Sequence, residues 1–139
     1  MALGRLALVV LEVEDLDRSL AFYRDLLGLP LERGDHDIDD DRWISGDHAA
    51  TSWSEGAFLH LALYRSKGVV TRNAQIGFMT DELDRLHGRL AAAGQRVDHP
   101  PRSEPWGRTA RYYDPDGNSV SLTEPSVRQS EPRGDPPRA

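Results

Sequence analysis

Not one cysteine occurs among the 139 residues, which excludes disulfide scaffolds, thiolate metal sites and cysteine nucleophiles. Long apolar runs are missing as well: the longest, Leu6 to Leu11, is far short of the roughly 20 residues that span a bilayer. Basic residues are outnumbered 17 to 23, giving a formal net charge of −6 and no basic excess to displace counterions from nucleic-acid phosphates. A cleavable leader is not indicated either, since Glu12, Glu14 and Asp15 follow the apolar run at once. No Gly-x-Ser-x-Gly elbow is present to hold a serine nucleophile. These absences leave a soluble cytoplasmic domain, or two small repeats sharing a core, with neither nucleic acid nor membrane as partner.

What is present begins with two clear periods. Leu6 to Val13 alternates with apolar residues on both faces, as in a strand covered on both sides. Asp15 stands where a helix N-cap belongs, and Leu16, Leu20, Tyr23 and Leu27 follow at helical spacing, with Phe22 and Leu26 widening the stripe. Gly28 and Pro30 stop that helix. The same grammar returns: Val13 to Arg18 aligns with Thr80 to Arg85, an offset of 67 positions. Ahead of the second copy lies a short strand, Gln75 to Met79. Behind it Leu83, Leu86, Leu90 and Ala93 form a helical stripe ending at Gly94. Matching strand, helix and glycine stop indicate an internal duplication.

Strand-like material follows each helix. In the first half it comprises Leu29 to Glu32, Arg42 to Ser45, and Phe58 to Tyr64. In the second it comprises Gln95 to Val97, a proline-rich link from Pro100 to Pro105, Thr109 to Tyr113, and Ser119 to Thr123. Asp114-Pro115-Asp116-Gly117-Asn118 signals the turn between the last two strands. The reading is therefore α+β, with βαβββ occurring twice: module one over 1–68, module two over 69–124. From 125 to 139 the chain turns to Pro, Ser, Arg, Glu and Gly, a flexible polar tail with too little apolar surface to offset its ordering entropy. The loop Asp35 to Asp41 holds five aspartates in seven residues but lacks the glycine and glutamate of an EF-hand loop.

Taken in order, Val13-Glu14-Asp15-Leu16-Asp17-Arg18-Ser19-Leu20-Ala21-Phe22-Tyr23, Leu26-Leu27-Gly28, Trp106-Gly107-Arg108 and Asp114-Pro115-Asp116-Gly117-Asn118 resemble the vicinal oxygen chelate superfamily. That family includes glyoxalase I, extradiol dioxygenases, fosfomycin thiol transferases and bleomycin-resistance proteins. The resemblance covers about Leu3 to Glu124. It implies two βαβββ modules whose sheets curl into a cup, and a homodimer.

It also implies a divalent metal held by four residues facing the cup. In this chain those positions read Leu8, Ala62, Gln75 and Ser121. One neutral amide and one hydroxyl are too few donors for a catalytic ion. His60, two residues from Ala62 on the same strand face, adds one nitrogen only if the register shifts by two. The expectation is therefore no metal and no cofactor, and binding rather than catalysis.

A cup without metal ligands leaves a concave site for a flat ligand. Trp43, Trp53 and Trp106 offer stacking faces, Trp106 serving equally as a lid over the hydrophobic layer. His60, Gln75, Arg111, Tyr113 and Ser121 supply orienting hydrogen bonds. On the strand before the turn, Arg111 and Tyr113 are assigned to the cup and Tyr112 to the core, roles that a one-residue slip would exchange. The acidic loop would draw a cationic ligand. The expected function is sequestration of an aromatic natural product or antibiotic, of bleomycin or enediyne type, as self-resistance in a GC-rich bacterium. The alternatives are a glyoxalase- or dioxygenase-like lyase or oxygenase with an atypical metal site at His60 and Gln75, or a structural subunit without a ligand.

Overall fold

A computed structural model describes residues 2–4, 6–34, 41–51 and 59–126. Most of the acidic loop (35–40), Trp53 and the tail beyond Ser126 lie outside the described residues. The chain forms two units. One comprises Met1–Asn73 with Pro115–Asn118, and the other Ala74–Asp114 with the segment from Ser119 onward.

The first unit contains β1 (Leu8–Val13), α1 (Leu16–Leu20), a π-helical continuation (Ala21–Leu26), β2 (Glu32–Gly34), β3 (Trp43–Ala50) and β4 (His60–Ser66). Its four-stranded sheet has the order β1-β4-β3-β2, with β1 parallel to β4 and the other pairs antiparallel. The second unit contains β5 (Gln75–Met79), α2 (Leu83–Ala92), β6 (Val97–Glu104), β7 (Gly107–Tyr113) and β8 (Ser119–Pro125). Its sheet has the order β5-β8-β7-β6, again with the outer pair parallel. The chain thus consists of two βαβββ modules, and the duplication seen in the alignment is repeated in the strand order.

Local chemistry accounts for the matching helices. Asp15 has extended backbone angles and its carboxylate accepts from the Arg18 N–H at 3.2 Å, which satisfies one of the free donors of the first turn. Asp15→Ala should therefore lower stability by about 1 kcal/mol. Urea denaturation checks this, and an unchanged midpoint would show that the cap is dispensable. At the far ends Gly28 (φ +85°) and Gly94 (φ +74°) take the left-handed conformation that ends a helix without Cβ strain. The next residue then bonds back, Leu29 N–H to Tyr23 C=O and Gln95 N–H to Leu90 C=O, each at 3.0 Å.

The core of each unit lies between helix and sheet. Leu11, Val13, Leu61, Leu63 and Ala49 are buried on the same sheet face, and Leu16, Leu20, Phe22 and Tyr23 are buried on the helix that packs against β3 and β4. In the second unit Leu83, Leu86 and Leu90 of α2 and Ala110, Tyr112, Val120 and Leu122 of β7 and β8 are buried in the same way. In the first helix the Leu27 N–H bonds to the Phe22 C=O, five residues back, at 3.1 Å. That wide turn shifts the helix phase, so Leu26 and Leu27 are only half-buried where a straight 3.6-residue stripe would bury them.

Three strand assignments need correction: Leu29 to Glu32 shares only Glu32 with β2 (Glu32–Gly34), because the chain first makes a tight turn in which the Leu31 N–H donates to the Leu29 C=O at 2.8 Å. The third strand is expected to stop at Ser45, but it continues to Ala50 through an irregular stretch between Trp43 and His48, where five steps on β3 face two on β4 and Gly46 takes a φ of +80°. The stretch from Pro100 to Pro105, read as a link, belongs mostly to β6, which reaches Glu104. Proline lacks the N–H that a central strand requires, but β6 lies at the sheet edge and its register shifts twice across this segment.

Candidate functional site

The register fixes which residues share the sheet faces turned away from the helices. In the first unit this face carries Leu8, Val10 and Glu12 of β1 beside His60, Ala62 and Tyr64 of β4, then His48 and Ala50 of β3. Trp43 joins them from the start of β3. Its ring stacks on Tyr64 with centroids 4.2 Å apart, its Nε1–H donates to Glu12 Oε1 at 2.7 Å, and the Arg42 guanidinium lies 4.6 Å from its centroid. The indole is thus held by the protein's own groups. Glu12 and Tyr64, which hold it, are absent from the sequence-derived site. Only the parallel β1–β4 register brings them opposite one another.

His60 is buried, with 1% of its surface exposed, and its Nδ1 lies 3.4 Å from Thr51 Oγ1. Among the described residues of this unit are shallow depressions of about 350 Å³. One lies beside Asp15, Asp17, Asp47 and Arg65, another beside Glu12, Arg42, Lys67 and Val69. Neither is lined by any of the eight residues assigned from sequence.

In the second unit the face away from α2 is ordered in cross-strand rows. Gln75 pairs with Ser119 and Ser119 with Tyr113; Gly77 pairs with Ser121 and Ser121 with Arg111; Met79 pairs with Thr123 and Thr123 with Thr109. Gln75, Arg111, Tyr113 and Ser121 therefore share one face. Tyr112 lies on the opposite face, fully buried, with its hydroxyl 2.7 Å from His87 Nδ1 on α2. Burial pushes the Tyr112 phenol up to about 12, because ionising it there would put an oxyanion in a poorly solvated place.

Around Tyr113 are two residues that sequence reasoning missed. Asp98 accepts from the Tyr113 hydroxyl at 3.2 Å and pairs with Arg111 at 3.5 Å, and the Arg96 guanidinium lies 4.0 Å from the Tyr113 ring centroid. Arg96 falls within the stretch Gln95 to Val97 read as strand-like and Asp98 just beyond it, but only the pairing of that strand with β7 brings them to Tyr113. Trp106 is not brought to this group. It occupies the two-residue turn between β6 and β7, is 47% exposed, and is separated from Tyr113 by the length of β7, roughly 20 Å. Trp53 lies outside the described residues.

The donor chemistry does not fit a family-type metal centre. Leu8 and Ala62 stand on one sheet face and Gln75 and Ser121 on the other unit's face, so those positions offer one amide and one hydroxyl. Among the described residues no group of three or more His, Asp or Glu side chains is arranged to hold an ion. No helix among them is long and apolar enough to cross a membrane.

Comparison with known proteins agrees with the fold. A family model, the Glyoxalase/Bleomycin resistance protein/Dioxygenase superfamily, matches residues 5–122. Comparison with curated proteins gives no match. Among solved structures, TnmS3, an antibiotic binding protein from Streptomyces sp. CB03234, is 28% identical, with a TM-score of 0.69 over 91% of this chain and 99% of that one. A glyoxalase/bleomycin resistance protein from the same Streptomyces is 27% identical, with a TM-score of 0.64 over 86% and 100%. Lactoylglutathione lyase from Agrobacterium tumefaciens, 22% identical with a TM-score of 0.63 over 89% and 96%, shares the fold. The chain belongs to the Glyoxalase/Bleomycin resistance protein/Dioxygenase superfamily.

Proposed function

We propose that this superfamily member is a metal-free binding protein that sequesters a small aromatic natural product, an antibiotic of bleomycin or enediyne type, and acts as a homodimer in the cytoplasm. The observation that carries the reading is the set of side chains at the four family ligand positions. Leu8 and Ala62 on one unit's face, and Gln75 and Ser121 on the other's, give up metal chemistry for apolar and neutral hydrogen-bonding groups, the kinds of side chain that suit a flat organic ligand. The 28% identity to an antibiotic binding protein over nearly the whole of both chains supports it.

On this reading Gln75, Ser121, Arg111 and Tyr113, which share one face of the second unit, orient the ligand, and protection follows from occupancy alone. No bond is made or broken. The competing metal-dependent lyase or oxygenase would draw on His60, whose imidazole is buried beside Thr51.

The test is a titration of protein purified without chelator, using bleomycin and enediyne-type antibiotics, followed by tryptophan fluorescence and thermal melting. The expected result is saturable quenching and a melting temperature that climbs with ligand concentration by mass action. Binding should be unchanged by a chelator, and the drug should be recovered intact. Conversion of the drug, or binding that the chelator abolishes, would overturn the proposal.

A further inference from the structure

Resting on the sequestration reading, we infer that the β5–β8–β7 face of the second unit selects ligands whose aromatic ring carries an acidic substituent, the ring lying on Gly77 and Ser121 and the acid meeting Arg111. Three observations lead there, and the first is shape. Gly77 is exposed, and beyond its chain neighbours a Cβ added to it would meet Ser121 Oγ at 3.0 Å. The missing side chain opens a shallow slot between Gln75 and Met79, which stand roughly 13 Å apart along the strand. From Gly77 across Ser121 to Arg111 is two strand spacings, about 10 Å, the length of a fused aromatic system with a substituent at its end.

The second observation is surface character. Met79 is 68% exposed on one side of the slot, offering a polarisable thioether to a ring edge. Ser121 supplies a hydroxyl on the floor. The slot therefore accepts a flat apolar body and has a polar group beneath it.

The third is charge. Two guanidinium groups and one carboxylate stand at this end of the face: Arg111 pairs with Asp98 at 3.5 Å, and Arg96 lies 4.0 Å over the Tyr113 ring. The nearby Arg102 is neutralised by Glu104 at 2.7 Å. One positive charge is left over, and the Arg111 side chain, 46% exposed, keeps donors turned to solvent. The chain as a whole is acidic, so this local excess of positive charge sets a preference opposite to the overall net charge. A cationic ligand gains nothing here, whereas a carboxylate or ionised hydroxyl gains a charge-assisted hydrogen bond.

The experiment compares 2-naphthoate with its cationic counterpart, 2-naphthylmethylammonium, by calorimetric titration of the full chain at low ionic strength. Wild-type protein should bind naphthoate at least tenfold more tightly than the ammonium probe. Arg111→Gln should remove that preference, Arg111→Lys should restore most of it, and Gly77→Val should weaken both probes tenfold or more by filling the slot. Melting temperatures of the variants confirm that they fold. Equal affinity for the two probes, a preference that survives Arg111→Gln, or no binding of either probe would each overturn the inference. If bleomycin or an enediyne still binds in those cases, sequestration stands without the acid preference; if neither drug binds, both readings fall.

Discussion

Gly107→Ala should destabilise the protein by about 3 kcal/mol. Gly107 closes the two-residue turn Pro105-Trp106, pairing with Glu104 on β6 and with Pro125 on β8. Its φ of +140° is one that a residue with a Cβ adopts only under strain. Space adds to the cost. An added Cβ would lie 2.3 Å from the Glu124 carbonyl oxygen and 2.9 Å from the Pro125 Cα, both backbone atoms of the neighbouring strand. Neither can swing aside as a side chain would, so the end of β8 must move and the β7–β8 ladder must give way there. Denaturant unfolding should show a lower midpoint with an unchanged slope. A loss below about 1 kcal/mol would mean the strand end yields freely.

The same position explains why Trp106-Gly107-Arg108 stands out in the sequence. Glycine is required by the backbone, and Arg108 ties β7 to its neighbours through Asp84 of α2 at 2.9 Å and Glu124 of β8 at 3.4 Å. The guanidinium holds the Asp84 carboxyl below its ordinary range. Gly107 and Arg108 thus serve the hairpin, while the exposed indole before them is carried on its tip. A motif that reads as a ligand contact can owe most of its identity to a turn.

Elements whose signal is local were legible in the chain. The span of β5, the Asp15 cap and the glycine stops at 28 and 94 depend on residues within a turn or two, so periodicity and capping chemistry locate them. β6 was obscured because proline is judged against a central strand, and nothing nearby in the sequence says that this strand lies at an edge. Trp43 illustrates the limit for sites. Its flanking Asp, Arg and Ser suggest an exposed stacking surface, yet Glu12 and Tyr64, distant in sequence, engage it through the β1–β4–β3 register. The four ligand positions were legible only as an absence of donors. Which side chains gather around Arg111 depended on β6, so Arg96 and Asp98 emerged from the fold alone.

Raising the pH from 10 to 12 should cost wild-type protein about 2 kcal/mol more stability than it costs a Tyr112→Phe variant. The phenol of Tyr112 is fully buried, and its pKa stands at about 12 in the folded chain against an ordinary value of 10.0. Its folded pKa is raised, so the folded state favours the protonated form. Below pH 10 both states keep the proton and the native arrangement is undisturbed. Between 10 and 12 the unfolded chain releases its proton while the folded chain retains it, and each step upward favours unfolding. At neutral pH the comparison has the opposite sense. The Tyr112→Phe variant would lose the 2.7 Å bond to His87 that joins α2 to β7, a cost of about 1 kcal/mol. The two stability curves should therefore cross at alkaline pH, wild type leading at pH 7 and the variant at pH 12. The other tyrosines and the single lysine titrate in both proteins and cancel in the difference, so the crossing reports Tyr112 itself. Parallel curves across that range would show that water reaches the hydroxyl, and that the Tyr112–His87 contact holds α2 to the sheet from a solvated position.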